Sequence, residues 1–62
     1  MKLSQLLSRF DHQQIVVIMF GDTELYHGLC QDAPLKATEG FYVDWFKVTG
    51  GLAPCLLVRV SI

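Results

Sequence analysis

Six consecutive apolar residues, Ile15-Val16-Val17-Ile18-Met19-Phe20, constrain this chain more than any other feature. The first four are β-branched, so they lose side-chain freedom in a helix and suit a pleated strand. Successive strand residues point to opposite faces, and an unbroken run therefore presents apolar side chains on both. The expectation is a strand covered on each side. Only 62 residues are available to supply the covers, which is one domain and no more. A chain this short buries a smaller share of its surface than a larger domain does, yet 52% of its residues are apolar. Part of that apolar surface is expected to be covered by a partner or by a second copy.

One cover is visible upstream. Leu3, Leu6, Leu7 and Phe10 fall at i, i+3, i+4 and i+7, the spacing of one helix face. Ser4 is placed to cap the first turn, and Arg9 lies where a cation suits the negative pole of the helix dipole. A helix of about two turns does not persist alone in water, so its apolar stripe must dock, and the strands are the available platform. Asp11 to Gln14 reads as a polar connector.

Downstream, Gly21-Asp22-Thr23 signals a turn, and Glu24 to Cys30 reads as a second strand antiparallel to the first. Gly28 inside it predicts a bulge, a bend or a close backbone approach. Asp32-Ala33-Pro34 starts a loop or single helical turn that Gly40 ends, with Leu35 expected to plug one end of the core. Phe41 to Val48 is an aromatic strand. Simple alternation puts Tyr42, Asp44, Phe46 and Val48 on one face and Phe41, Val43, Trp45 and Lys47 on the other. After the Thr49-Gly50-Gly51 turn and Pro54, the residues Leu56, Val58, Val60 and Ile62 alternate with Leu57, Arg59 and Ser61, giving a last strand that could offer an edge for pairing.

A helix followed by strands at hairpin-like spacing predicts an α+β domain spanning 1–62. A short N-terminal helix would pack on a small, mostly antiparallel sheet of four or five strands. With a corner glycine, such a sheet can curl into an SH3- or Sm-like half-open barrel.

Chemistry is sparse. The formal net charge is −1, and Lys2, Arg9, Lys36, Lys47 and Arg59 are scattered rather than clustered. The basic footprint of a nucleic-acid-binding domain is missing from the sequence, although folding could assemble one from Lys36, Lys47 and Arg59. Cys30 and Cys55 have no zinc-ligand spacing and are expected to be small buried groups. MKLSQLLSRF lacks the apolar stretch and cleavage site of a signal peptide. No segment approaches the roughly 20 apolar residues that span a bilayer. A cytoplasmic location with both thiols reduced is the resulting expectation, with no membrane partner.

Adjacent Asp11 and His12 point different ways, and no spacing supplies a third metal ligand to them or to His27. His27 and Cys30, three apart on a strand, belong to opposite faces, which argues against an activated thiol. Gly50-Gly51 is followed by no helix and no Gly-Lys-Ser/Thr, so it is a turn and not a phosphate loop. No catalytic or metal site, no cofactor and no small-molecule ligand is indicated. The residues with most to offer a partner are Tyr42, Trp45, Phe46 and Lys47, because exposed aromatics dominate contact hot spots.

Two resemblances accompany these residues. The segments Leu3-Ser4-Gln5-Leu6-Leu7, Glu24-Leu25-Tyr26-His27-Gly28 and Leu56-Leu57-Val58-Arg59-Val60 resemble a loose group of very short uncharacterised proteins of Gram-positive bacteria and their phages. That resemblance implies a phage or mobile-element origin and no established activity. The layout of a helix and then a bent sheet, with Gly21 and Gly28 in Val17 to Leu29, is similar to the Sm-like fold. The chain contains no asparagine, so the Asn that Sm proteins use for RNA contacts has no counterpart here. The leading expectation is a non-enzymatic module that self-associates or docks on a protein. A nucleic-acid-binding small barrel is the alternative, and an enzyme or metal site near His27 is least favoured.

Overall fold

The structure, a computed structural model, describes residues 1–62. Its elements are α1 (Leu3–Leu7), β1 (Ile15–Phe20), β2 (Thr23–Leu29), a 3-10 turn (Cys30–Asp32), β3 (Tyr42–Thr49) and β4 (Cys55–Ser61). The four strands form one open sheet in the order β2-β1-β4-β3. The class is α+β, and the sheet is not closed. No helix is long and apolar enough to cross a membrane.

Two antiparallel hairpins, β1–β2 and β3–β4, are joined side by side through a parallel pairing of β1 with β4. β4 is therefore central, and the expectation that the last strand offers an edge is corrected. The edges are β2 and β3. Parallel pairing needs a crossover, which residues 30–41 supply by passing from one edge of the sheet to the other.

Leu3, Leu6 and Leu7 of α1, Cys30 of the crossover, and Val16, Ile18, Leu56, Val58 and Val60 of the sheet form one buried apolar cluster. Phe10, Tyr26, Ala33, Phe41 and Val43 pack around it. All of this lies on one face of the sheet. The accessible surface of 4187 Å² is close to the ~4,000 Å² expected for a compact chain of 7.0 kDa. The chain thus exposes about the surface usual for a folded monomer of its size.

The helix is shorter than its apolar spacing predicts. Phe10 lies beyond its end, half-buried and edge-on to Phe46 with ring centroids 6.4 Å apart. Ser4 is not its cap. The N-cap position is held by Lys2, whose N–H donates to Gln5 Oε1 at 2.9 Å. Residues before the helix act as a strand extension instead: Val43 N–H donates to Met1 O (2.8 Å) and Leu3 N–H to Phe41 O (3.3 Å). Met1–Leu3 thereby occupies the outer edge of β3 at its start. In the crossover, the Thr38 N–H and hydroxyl both donate to Pro34 O, closing a single helical turn that buries Thr38. Leu35 does not plug the core. It is 45% exposed.

Both edge strands carry a β-bulge. In β2 the pairing passes from Ile18–Tyr26 to Met19–Glu24, leaving Leu25 as the extra residue. In β3 it passes from Val43–Val60 to Trp45–Arg59, leaving Asp44 as the extra residue. Gly28 is not the bulge. It serves a close approach by a side chain: Tyr26 lies over it, and a Cβ at position 28 would stand 2.7 Å from the Tyr26 hydroxyl oxygen. That hydroxyl donates to Leu29 O at 2.6 Å.

Candidate functional site

Cross-strand partners project from the same face of a sheet, so the register sorts every strand residue. Val16, Ile18, Leu56, Val58 and Val60 face the buried cluster. Their chain neighbours form the opposite face in three rows. Leu29, Ile15, Cys55 and Thr49 make the first row, and His27, Val17, Leu57 and Lys47 the second. Glu24, Met19, Arg59 and Trp45 make the third. Ile15, Val17, Met19, Cys55 and Leu57 are half-buried by one another along the sheet centre. No element of the chain lies over them. The expectation that β1 is covered on both sides is corrected: α1 and the crossover share one face and leave the other bare.

The bulge at Asp44 rearranges the aromatic strand. Tyr42 pairs with Ser61 and Trp45 with Arg59, which brings Tyr42, Trp45 and Lys47 to the bare face. Val43, Phe46 and Val48 turn to the helix side, opposite Val60, Val58 and Leu56. Alternation alone groups Tyr42 with Phe46 and Val43 with Trp45. Of the four candidate binding residues, three therefore share a face and Phe46 does not. Tyr42, Trp45 and Phe46 are 49%, 44% and 45% exposed. Asp44 Oδ1 accepts from the Ser61 hydroxyl at 2.8 Å, which ties the bulge to the end of β4.

The second bulge does the same for charge. With Leu25 set aside, Glu24 and His27 stand on one face, and Glu24 Oε1 lies 3.7 Å from His27 Nδ1. On the bare face the β2–β1 half thus carries the carboxylate of Glu24, and the β4–β3 half carries the cations Arg59 and Lys47. Lys36 is in the crossover and does not join them.

His27 and Cys30 are separated. The imidazole is on the bare face, while the Cys30 thiol is buried and donates to Leu7 O at 3.4 Å. Burial and then the nearby Asp11 carboxylate push that thiol above its ordinary pKa, the opposite of what a nucleophile needs. Beside it, Ser4, Leu7, Ser8, Phe10, His12, Cys30, Gln31 and Leu35 border an open depression of about 230 Å³, below the ~300 Å³ at which ligand pockets begin. No three His, Cys, Asp or Glu side chains converge.

Sequence reasoning missed Ile15, Val17, Met19, Leu29 and Leu57 as surface residues, while Arg59 and Lys47 of the basic group it considered do share the bare face. A signal was present, since a strand apolar on both faces needs two covers and only one helix is encoded. Comparison with protein-family models, with curated proteins and with solved structures finds no match to this chain.

Proposed function

We propose that this chain is a non-enzymatic docking module that presents the bare sheet face to another protein surface. The observation that carries the reading is the central strip of Ile15, Val17, Met19 and Leu57, half-buried by its own neighbours and lacking a second layer. Trp45 and Tyr42 at the rim add the aromatic side chains that anchor contacts. A contiguous apolar patch of this kind marks an interaction surface more often than chance exposure. The test is uptake of an apolar fluorescent probe by the dilute, monomeric chain. Wild type binds the probe, and Val17→Lys/Leu57→Lys, folded by far-UV circular dichroism, does not. A dilute wild-type chain that takes up no probe would remove this reading.

A second reading rests on Trp45 standing directly across from Arg59, with Lys47 on the same face. An aromatic ring between cations can stack a nucleic-acid base. It predicts salt-sensitive binding of a mixed-sequence single-stranded oligonucleotide that Trp45→Ala abolishes, and its absence would leave docking alone.

A further inference from the structure

The two halves of the face, β2–β1 with Glu24 and β4–β3 with Arg59 and Lys47, carry opposite charges, and that asymmetry identifies an occupant. We infer that the bare face is covered by the same face of a second copy of this chain, around a two-fold axis that runs parallel to the strands above the β1–β4 seam. This rests on the docking reading and names its partner.

The geometry follows from the strand order β2-β1-β4-β3. Rotation about an axis along the strands lays β1 over the partner's β4 and β2 over the partner's β3, and each row meets its own row. Val17 then faces Leu57 across the axis, twice by symmetry. Met19 faces the aliphatic stem of Arg59 from the other copy. The Arg59 head group, free to extend past that contact, arrives beside Glu24, which is one strand further out in the row Glu24, Met19, Arg59, Trp45. An axis across the strands reverses the order of the rows, so it would set Lys47 over Lys47 in the middle row and Glu24 over Leu29, away from any basic group. Opposed like charges disfavour that arrangement. Asp44 lies beyond the third row, where its carboxylate accepts from the Ser61 hydroxyl.

Area sets the strength. Four strands ~4.8 Å apart and six residues of ~3.3 Å each give a flat face of about 400 Å² per copy. Two copies bury about 800 Å² before side-chain relief is added, below the ~1,200 Å² of a standard stable interface. An interface of this size belongs to the weak, transient class. Two sheets packing in this way align their strands within ~30° at a separation of ~10 Å.

Analytical ultracentrifugation of the full chain up to about 1 mM tests the inference. Wild type is expected to approach twice the 7.0 kDa monomer mass. Leu57→Lys should remain a monomer throughout. Glu24→Arg and Arg59→Glu are exposed changes that do not threaten folding, and each should weaken self-association by about tenfold, because each sets like charges together at two symmetric places. Mixing the two variants should restore association to near the wild-type level. In the mixed pair the two introduced charges are opposite and meet at one place, while the unaltered Arg59 of one copy and Glu24 of the other meet at the second. A wild-type chain that stays monomeric at about 1 mM overturns the inference. So does a dimer indifferent to Leu57→Lys, or a mixture no tighter than its components. If the monomer also binds the apolar probe, the docking reading survives with a different partner, and if it does not, both fall together.

Discussion

Gly28 and Tyr26 offer the sharpest quantitative test of the fold, because the two residues constrain each other. They are two apart on β2 and share the face that looks toward the core. The Tyr26 ring lies over the space where a side chain at position 28 would be, and its hydroxyl donates to Leu29 O at 2.6 Å. A Cβ there would stand 2.7 Å from the hydroxyl oxygen and 3.1 Å from Cζ. Gly28→Ala must therefore push the phenol aside and break its hydrogen bond, at a cost of about 1 kcal/mol. Reduced freedom of the unfolded chain offsets ~0.4–1 kcal/mol of this. The net loss is from near zero to about 1 kcal/mol once displaced ring contacts are counted. Tyr26→Phe removes the same hydrogen bond by a different route and costs about 1 kcal/mol.

The double variant separates this reasoning from a simple sum. In Gly28→Ala/Tyr26→Phe the hydroxyl is absent, so the 2.7 Å clash is gone and there is no hydrogen bond left to break. Only the 3.1 Å contact to Cζ remains, and a few tenths of an ångström relieve it. The alanine then keeps its ~0.4–1 kcal/mol gain from the unfolded chain with no hydrogen bond lost against it, and the double variant should be about 1 kcal/mol more stable than the sum of the singles predicts. For 62 residues the unfolding entropy is ~130 cal/mol/K, so that coupling corresponds to about 8 °C in Tm. Urea and thermal denaturation of the four proteins measure it. Additivity within ~0.3 kcal/mol would refute the placement of the Tyr26 phenol over Gly28.

Further outcomes follow from burial. Ile18→Ala empties a fully buried site and should cost ~2–5 kcal/mol, most of the ~3–9 kcal/mol available to a chain of this size, while Val48→Ala on the exposed part of the same face should change stability by under ~1 kcal/mol. A thiol reagent should modify Cys55 well before Cys30 in the native chain, and equal rates would contradict the burial of Cys30. Because burial and Asp11 raise the Cys30 pKa, the protonated thiol is the form the fold favours. Its contribution is complete below the ordinary value of 9.0 and is lost as pH climbs through the higher folded value. Stability should fall at alkaline pH, and Cys30→Ala should show a shallower fall. Tyr26, raised above 10.0 by desolvation and by Asp32 and Cys30, adds to the loss at still higher pH.

Local pattern located the elements and little of their arrangement. The spacing of Leu3, Leu6 and Leu7 marks residues that are all buried, because a helix repeats its face every three or four positions whatever it packs against. Alternation from Leu56 to Val60 likewise separates buried from exposed positions in β4. The parallel partnership of β1 and β4 is not encoded in either strand. It arises because the segment 30–41 crosses the sheet on the helix side, and nothing in its composition sets that route. The two bulges were equally illegible. Each inserts one residue, and one residue is enough to exchange the faces of everything before it. That is why Tyr42 stands with Trp45, and why Phe46 of the candidate set does not.

The bulges also bear on how the chain meets other molecules. An open sheet can associate through its edges or through its face. Edge pairing needs a regular row of free N–H and C=O groups, and both edges here are interrupted. β2 is broken by Leu25 and β3 by Asp44, and the start of β3 is already bonded to Met1 and Leu3. Bulged edges resist continuous strand addition. The face has no such defence: its centre is apolar but for Arg59 on β4, and its other charges lie on the edge strands. Interrupting the edges while leaving the face bare favours association that stops at a closed pair over association that extends strand by strand. Removing the bulge should therefore shift the balance. Deleting Asp44 would re-register the early part of β3 and free a longer regular edge. If the edge rather than the face were already the preferred contact, this deletion would leave the concentration dependence of aggregation unchanged; an increase in extended, thioflavin-positive assemblies is the expected result.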